Sequence, residues 1–84
     1  MNSEKTYNLT GKNSVNKNQA IAFLKVQRIT LNISQQEIAD LTGYHLNAIN
    51  RLENQGVGSD EMMEKYARAL GYALDKSYNF IPVD

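Results

Sequence analysis

The sequence predicts an all-α fold: a bundle of four to five short helices, followed by one β-strand at the C-terminal end. Three observations lead there. Apolar residues recur at helical spacing in four separate stretches between residues 17 and 70. Good N-cap residues precede three of them: Asn16 or Ser14, Ser34, and Ser59. Beyond Tyr72 the chain changes character and becomes rich in aromatic and β-branched residues, which favour a strand.

The first helix is expected from about Lys17 to Leu31. Ile21, Leu24, Arg28 and Leu31 fall on one face of it. Arg28 interrupts that apolar line, so it requires a carboxylate partner. Phe23, Val26 and Thr30 make a second stripe, so another element must cover this helix. Asn32 suits the end, because Asn tolerates the left-handed conformation. The stretch Ile33–Gly56 carries the most information. Ser34 and Glu37 form a capping box. Ile38 and the small Ala39 carry an apolar face, and Gly43 stands where a tight turn needs a left-handed residue. In His45–Asn54, Ala48, Ile49 and Leu52 lie on one side at helical spacing, and Leu46, Asn47, Asn50, Arg51 and Asn54 on the other. Two short helices over a glycine turn spell a helix-turn-helix, with an ordinary helical hairpin as the alternative. The polar side argues against the plain hairpin. It holds amides, one Arg and one Leu, and no Glu/Lys ladder such as a solvated face carries. Amides and guanidinium are the groups that read base edges.

Ser59 caps the next helix, Asp60–Leu70. Asp60, Glu61 and Glu64 favour the positive end of its dipole, and this explains them better than a metal site or a catalytic pair does. Met63, Tyr66, Ala67 and Leu70 make its buried face, and Gly71 ends it. In the tail, Ser77–Val83 reads as a strand that Pro82 restricts to an edge or an end. A lone strand has no sheet to join. The same strand of a second copy would satisfy its backbone groups and cover the Phe23/Val26 stripe. A disordered tail and pairing with a short strand at Tyr7–Thr10 are the alternatives.

Composition sets outer bounds. The 84 residues make one small domain, near the size where a single core is marginal. There is no Cys and His45 is the only His, so no disulfide framework and no metal-ligand set is expected. No Ser/His/Asp constellation stands out, so neither catalysis nor a cofactor is expected. The N-terminus lacks the apolar core of a signal peptide and no apolar run approaches membrane-spanning length, which points to no membrane and a cytoplasmic setting. The net charge of zero is unusual for a nucleic-acid binder. It is unevenly spread. The first 33 residues hold five basic side chains against Glu4, and the rest hold four basic against eight acidic. A local positive field survives a neutral sum. Three regions are expected: a flexible polar arm at 1–16, a helix-turn-helix domain at 17–74, and a strand or dimerisation tail at 75–84.

The set Leu24, Arg28, Ile33-Ser34-Gln35, Glu37-Ile38-Ala39, Gly43, Ile49, Leu52-Glu53-Asn54 and Ala67-Arg68-Ala69-Leu70-Gly71 resembles the Xre/Cro-type helix-turn-helix family, the fold of many phage and bacterial repressors. The likeness covers about Asn18–Leu74. It implies a DNA-binding transcriptional regulator, acting as a homodimer on a near-palindromic operator in double-stranded DNA. It implies base reading by Leu46, Asn47 and Arg51, to which the amide chemistry adds Asn50. It implies phosphate contacts by Gln35, Tyr44, His45 and Asn54, and an Arg28–Glu53 ion pair joining the first helix to the recognition helix. Phe23, Val26, Tyr78, Phe80 and Ile81 are the expected dimer residues. The chain departs from the family pattern at Leu41, where a polar residue is common, at Thr42, where an apolar one is, and at Gly58-Ser59-Asp60, where Pro is frequent. The tail resembles that of members in toxin–antitoxin modules, so the alternative function is an antitoxin-type module that neutralises a protein partner (a toxin or another regulator).

Overall fold

Asn16 starts the first helix. Its side chain accepts from the Gln19 backbone N–H at 2.8 Å, and the Gln19 side chain accepts from the Asn16 N–H at 3.1 Å. In the computed structural model, which describes residues 16–83, helix α1 runs Lys17–Thr30. Helix α2 (Gln35–Thr42), α3 (Leu46–Gln55) and α4 (Asp60–Ala69) follow, then strands β1 (Tyr72–Leu74) and β2 (Phe80–Pro82). The expected strand at Tyr7–Thr10 lies outside the described residues. Among the described residues, no helix is long and apolar enough to cross a membrane.

The helix boundaries follow from local chemistry. Ser34 and Glu37 close the α2 capping box, and Gly43 ends α2 at φ +82°. Ser59 caps α4 by accepting from Met62 N–H at 3.1 Å. Asn32 takes φ +60° just past α1. That turn separates Leu31 from the buried line. Helix α1 stops at Thr30, and Leu31 is 51 % exposed instead of packed.

The core is one cluster drawn from every helix. Leu24, Ile38, Ile49, Leu52, Met63 and Tyr66 are fully buried. Ala39 packs at 4 % exposure, as a steep crossing of α2 and α3 requires. The departures at Leu41 and Thr42 resolve locally. Leu41 points to solvent, while the Thr42 hydroxyl donates to the Ile38 carbonyl at 2.7 Å and needs no apolar surroundings.

Gly58 has a packing role that a plain connector would lack. A Cβ there would come within 2.7 Å of Leu52 Cδ1 and 3.0 Å of Met62 Sδ. Both side chains are buried and have little room to yield. Gly58→Ala is expected to destabilise the fold by about 1–3 kcal/mol, the usual cost of overpacking. Thermal denaturation monitored by circular dichroism checks this.

The tail differs from expectation in one respect. Its strand forms, but it has a partner in its own chain. β1 and β2 pair antiparallel, with Leu74 opposite Phe80 and Tyr72 opposite Pro82. The Asp75 carboxylate holds the turn by accepting from the backbone N–H groups of Ser77 at 2.8 Å and Asn79 at 2.9 Å. Desolvation pushes the Asp75 carboxyl up, but the bonds from Asn79 and Ser77 together outweigh it and hold the group below the usual range. Phe80 then reaches back to α1. Its ring stacks on Phe23 at 4.4 Å between centroids, with Tyr72 edge-on to both rings. The cover for Phe23 is therefore the chain's own hairpin, and Phe80, expected at a dimer contact, lies wholly inside its own protomer. Tyr78 is half-buried, its hydroxyl bonded to Asp60 Oδ1 at 2.9 Å. Val26 and Ile81 stay exposed at 56 % and 37 %.

Candidate nucleic-acid interface

Helix α3 is divided cleanly between two environments. Ile49, Leu52 and Glu53 anchor it to the core. Leu46, Asn47, Asn50, Arg51 and Asn54 face solvent. The exposed side of α4 shows what ordinary solvation looks like in this protein. It carries the ion pairs Lys65–Glu61 at 3.5 Å and Arg68–Glu64 at 3.8 Å, each one turn apart. No described ion pair involves the exposed side of α3. Its amides and its guanidinium are exposed and can meet something outside the protein.

The helix starts at the tip of the turn. His45 is its N-cap residue, and the His45 carbonyl accepts from Ala48 N–H at 2.9 Å and Ile49 N–H at 3.2 Å. The imidazole makes no capping bond and stands exposed. Tyr44 packs against the core as a half-buried ring, with Lys65 Nζ 5.7 Å from its centroid. Leu46, at 40 % exposure, is the first helical residue, followed by Asn47. One turn farther along, Asn50 and Arg51 continue the same side.

Gln35, the first residue of α2, belongs to a buried hub. The Arg28 guanidinium clamps the Glu53 carboxylate, with Nε to Oε2 at 2.7 Å and Nη2 to Oε1 at 3.0 Å. Gln35 Nε2 donates to Oε1 at 3.0 Å, and the Tyr66 hydroxyl donates to Oε2. Each oxygen thus accepts two bonds, which fills the carboxylate's capacity of about four. A third guanidinium donor, Nη1, reaches the Ile33 carbonyl at 2.8 Å and ties down the loop before α2. The expected Arg28–Glu53 pair is present, with both side chains buried or nearly so.

The electrostatics follow from this crowding. Burial pushes the Glu53 carboxyl up, but the bonds from Arg28, Tyr66 and Gln35 outweigh it and hold the group below the usual range. The bond to Glu53 raises Arg28 further above its ordinary value. Burial, then the bond to Glu53, raises the Tyr66 hydroxyl far above the usual tyrosine value. A carboxyl depressed by folding contributes stability above its unfolded value, near 4.3, and loses it as pH falls through the folded one. A phenol raised by folding contributes below about 10 and loses that contribution as pH rises. Urea-unfolding free energy is expected to be flat between those limits and to fall on both sides. In Glu53→Gln the acid arm should shrink.

Asn50 Nδ2 lies 3.4 Å from Gln35 Oε1, so the start of α2 and the middle of α3 also meet at the surface. Asn54 accepts from Lys25 Nζ of α1 at 3.2 Å. Lys25 is the residue that reading the sequence missed here. The signal was present, because Lys25 sits one turn before Arg28 and shares its side of α1. Lys25 puts a cation beside the exposed end of α3, where the neutral total charge gives no hint of one. Tyr66 was legible as core but not as a donor to Glu53.

A helix-turn-helix family matches this chain over residues 24–77, well over half its length. The chain belongs to that family, of the Xre/Cro type. Such domains are the DNA-binding parts of transcription regulators, and this is the kind of function the chain carries. No curated protein and no solved structure matches it.

Proposed function

We propose that the chain is a transcriptional repressor that binds a near-palindromic operator as a homodimer. The observation that carries this reading is the exposed, ion-pair-free amide-and-guanidinium side of α3, beside the start of α2. Leu46, Asn47, Asn50 and Arg51 read base edges in the major groove. Asn and Arg match adenine and guanine, and Leu46 meets a thymine methyl. Gln35, Tyr44, His45 and Asn54 contact phosphates, with Lys25 beside Asn54, and these contacts set the register. The two copies place their α3 helices about 34 Å apart. Their contact uses the exposed Val26 and Ile81 and the free edge of the hairpin, in a cytoplasmic setting. Repression follows from occupying the operator and needs no small-molecule pocket.

A selection of binding sites from random duplexes, repeated across a salt series, tests this. Wild-type protein should enrich one two-fold-related site. Arg51→Ala and Asn47→Ala should each lose about 1–3 kcal/mol of specific binding with the fold intact. Gln35→Ala should weaken binding through the lost phosphate contact and leave the salt dependence unchanged, because the amide is neutral. No enrichment at low ionic strength would sink the proposal.

A second reading has its own observation. Asp60, Glu61, Glu64 and Asp75, with Lys76 the one cation, line a cleft of about 310 Å³ between α4 and the hairpin, with Leu74 and the Tyr78 ring as its other walls. Such a surface suits a protein partner of the kind an antitoxin module holds. Co-purification with the product of a neighbouring gene favours that reading.

A further inference from the structure

The chain from Tyr66 through Glu53 and Gln35 to Asn50 runs from the core to the exposed side of α3, and every bond along it has a fixed direction. Glu53 carries four donors on its two oxygens, so it offers only acceptors. A primary amide beside it can approach only through its nitrogen. Gln35 therefore turns Nε2 inward, at 3.0 Å from Glu53 Oε1, and Oε1 outward. That oxygen faces Asn50, which must answer with Nδ2, as the 3.4 Å contact has it. One bond thus settles the next, and an amide that is ordinarily free to turn over is set by a carboxylate two hydrogen bonds away.

We infer that Glu53 and Gln35 are positioning residues that fix the amide of Asn50 so that it presents one acceptor and one donor to the groove, and thereby select adenine at the base pair it meets. With one N–H engaged by Gln35, Asn50 keeps Oδ1 and its second N–H for the base. Adenine offers the complement in the major groove, the N6 amino group as donor and N7 as acceptor. Turned over, the same amide would lead with two N–H groups, which suit the two acceptors of guanine. The buried hub thus acts on specificity as well as on stability. The second N–H of Gln35 stays available for a phosphate, so the two roles of that residue do not compete. The inference rests on the reading of α3 as the base-reading helix.

The test measures affinity for the selected duplex and for its three single-pair variants at each position, for wild type, Asn50→Ala, Gln35→Leu and Glu53→Gln. The pair that loses its preference in Asn50→Ala is the one Asn50 meets. Wild type is expected to favour adenine there by at least about fivefold, the lower range for a bidentate contact. Gln35→Leu should bring that preference to within about twofold, guanine gaining most, with preferences at all other positions kept. Glu53→Gln should act the same way. If it fails to fold, Gln35→Leu still decides, since Gln35 is only partly buried and Glu53 keeps its bonds from Arg28 and Tyr66 without it. Loss of affinity spread evenly over all positions, an adenine preference untouched by Gln35→Leu, or a different base favoured in wild type each overturns the inference alone. A wild-type protein with no base preference anywhere overturns the inference and the reading of α3 together.

Discussion

Glu53→Ala is expected to cost about 3–5 kcal/mol, enough to leave a domain of this size largely unfolded at 37 °C. The reason lies in what remains behind. Arg28, whose side chain is only 11 % exposed, would keep a charge with no carboxylate to meet it. The Tyr66 hydroxyl and one amide hydrogen of Gln35 would lose their acceptor as well. Removing one member of a buried pair is far more damaging than exchanging both for apolar groups. Arg28→Met combined with Glu53→Leu should therefore recover much of the loss, and urea titration of the two single variants and the double variant measures it. Recovery would show that the pair's main stabilising role is mutual neutralisation. Equal loss in single and double variants would instead place the weight on the bonds to Ile33 and Tyr66.

Phe80→Ala is expected to cost about 3–5 kcal/mol, the range for a fully buried aromatic ring. Phe80 has no exposure and fills the space between Phe23 of α1 and Tyr72 of β1. Its loss would open a cavity beneath α1 and free β2 from the domain. The expected reading is a lower melting temperature at every protein concentration, because the ring packs within one protomer. A melting temperature that falls only at low concentration would instead place Phe80 between two copies. Ile81→Ser, on the outer face of the hairpin, separates the two cases. It should spare the protomer and act on association alone.

The helical part of this architecture was legible because its signals are local. Asn16, Ser34 and Ser59 cap the helices they were expected to cap, and Gly43 takes the left-handed turn. Arg28 among apolar neighbours announced a carboxylate, and Glu53 supplies it. The hairpin was half legible for the opposite reason. Tyr72–Leu74 is a three-residue strand directly after a helix, too short to show a period of two. Without it, the strand at Phe80–Pro82 looked unpaired and a second copy was invoked to complete it. Asp75-Lys76-Ser77-Tyr78-Asn79 held a turn signal in Asp75 and Asn79, whose side chains commonly close such loops. In the site, the residues of α3 could be read from their spacing. The links from Gln35 and Tyr66 to Glu53 could not, since they join residues 18 and 13 positions apart through side chains alone.

The cleanly divided α3 helix has an implication for how such a protein changes its target. Leu46, Asn47 and Arg51 can be exchanged with little loss of stability, because exposed substitutions away from special contacts usually shift it by less than about 0.5 kcal/mol. New operator preferences are therefore open to drift, or to a designer's library, at those three positions. Gln35 and Asn50 are less free, because altering either disturbs a partner that answers to Glu53. Retargeting by that route would begin with the outer three positions and leave the amide pair for last.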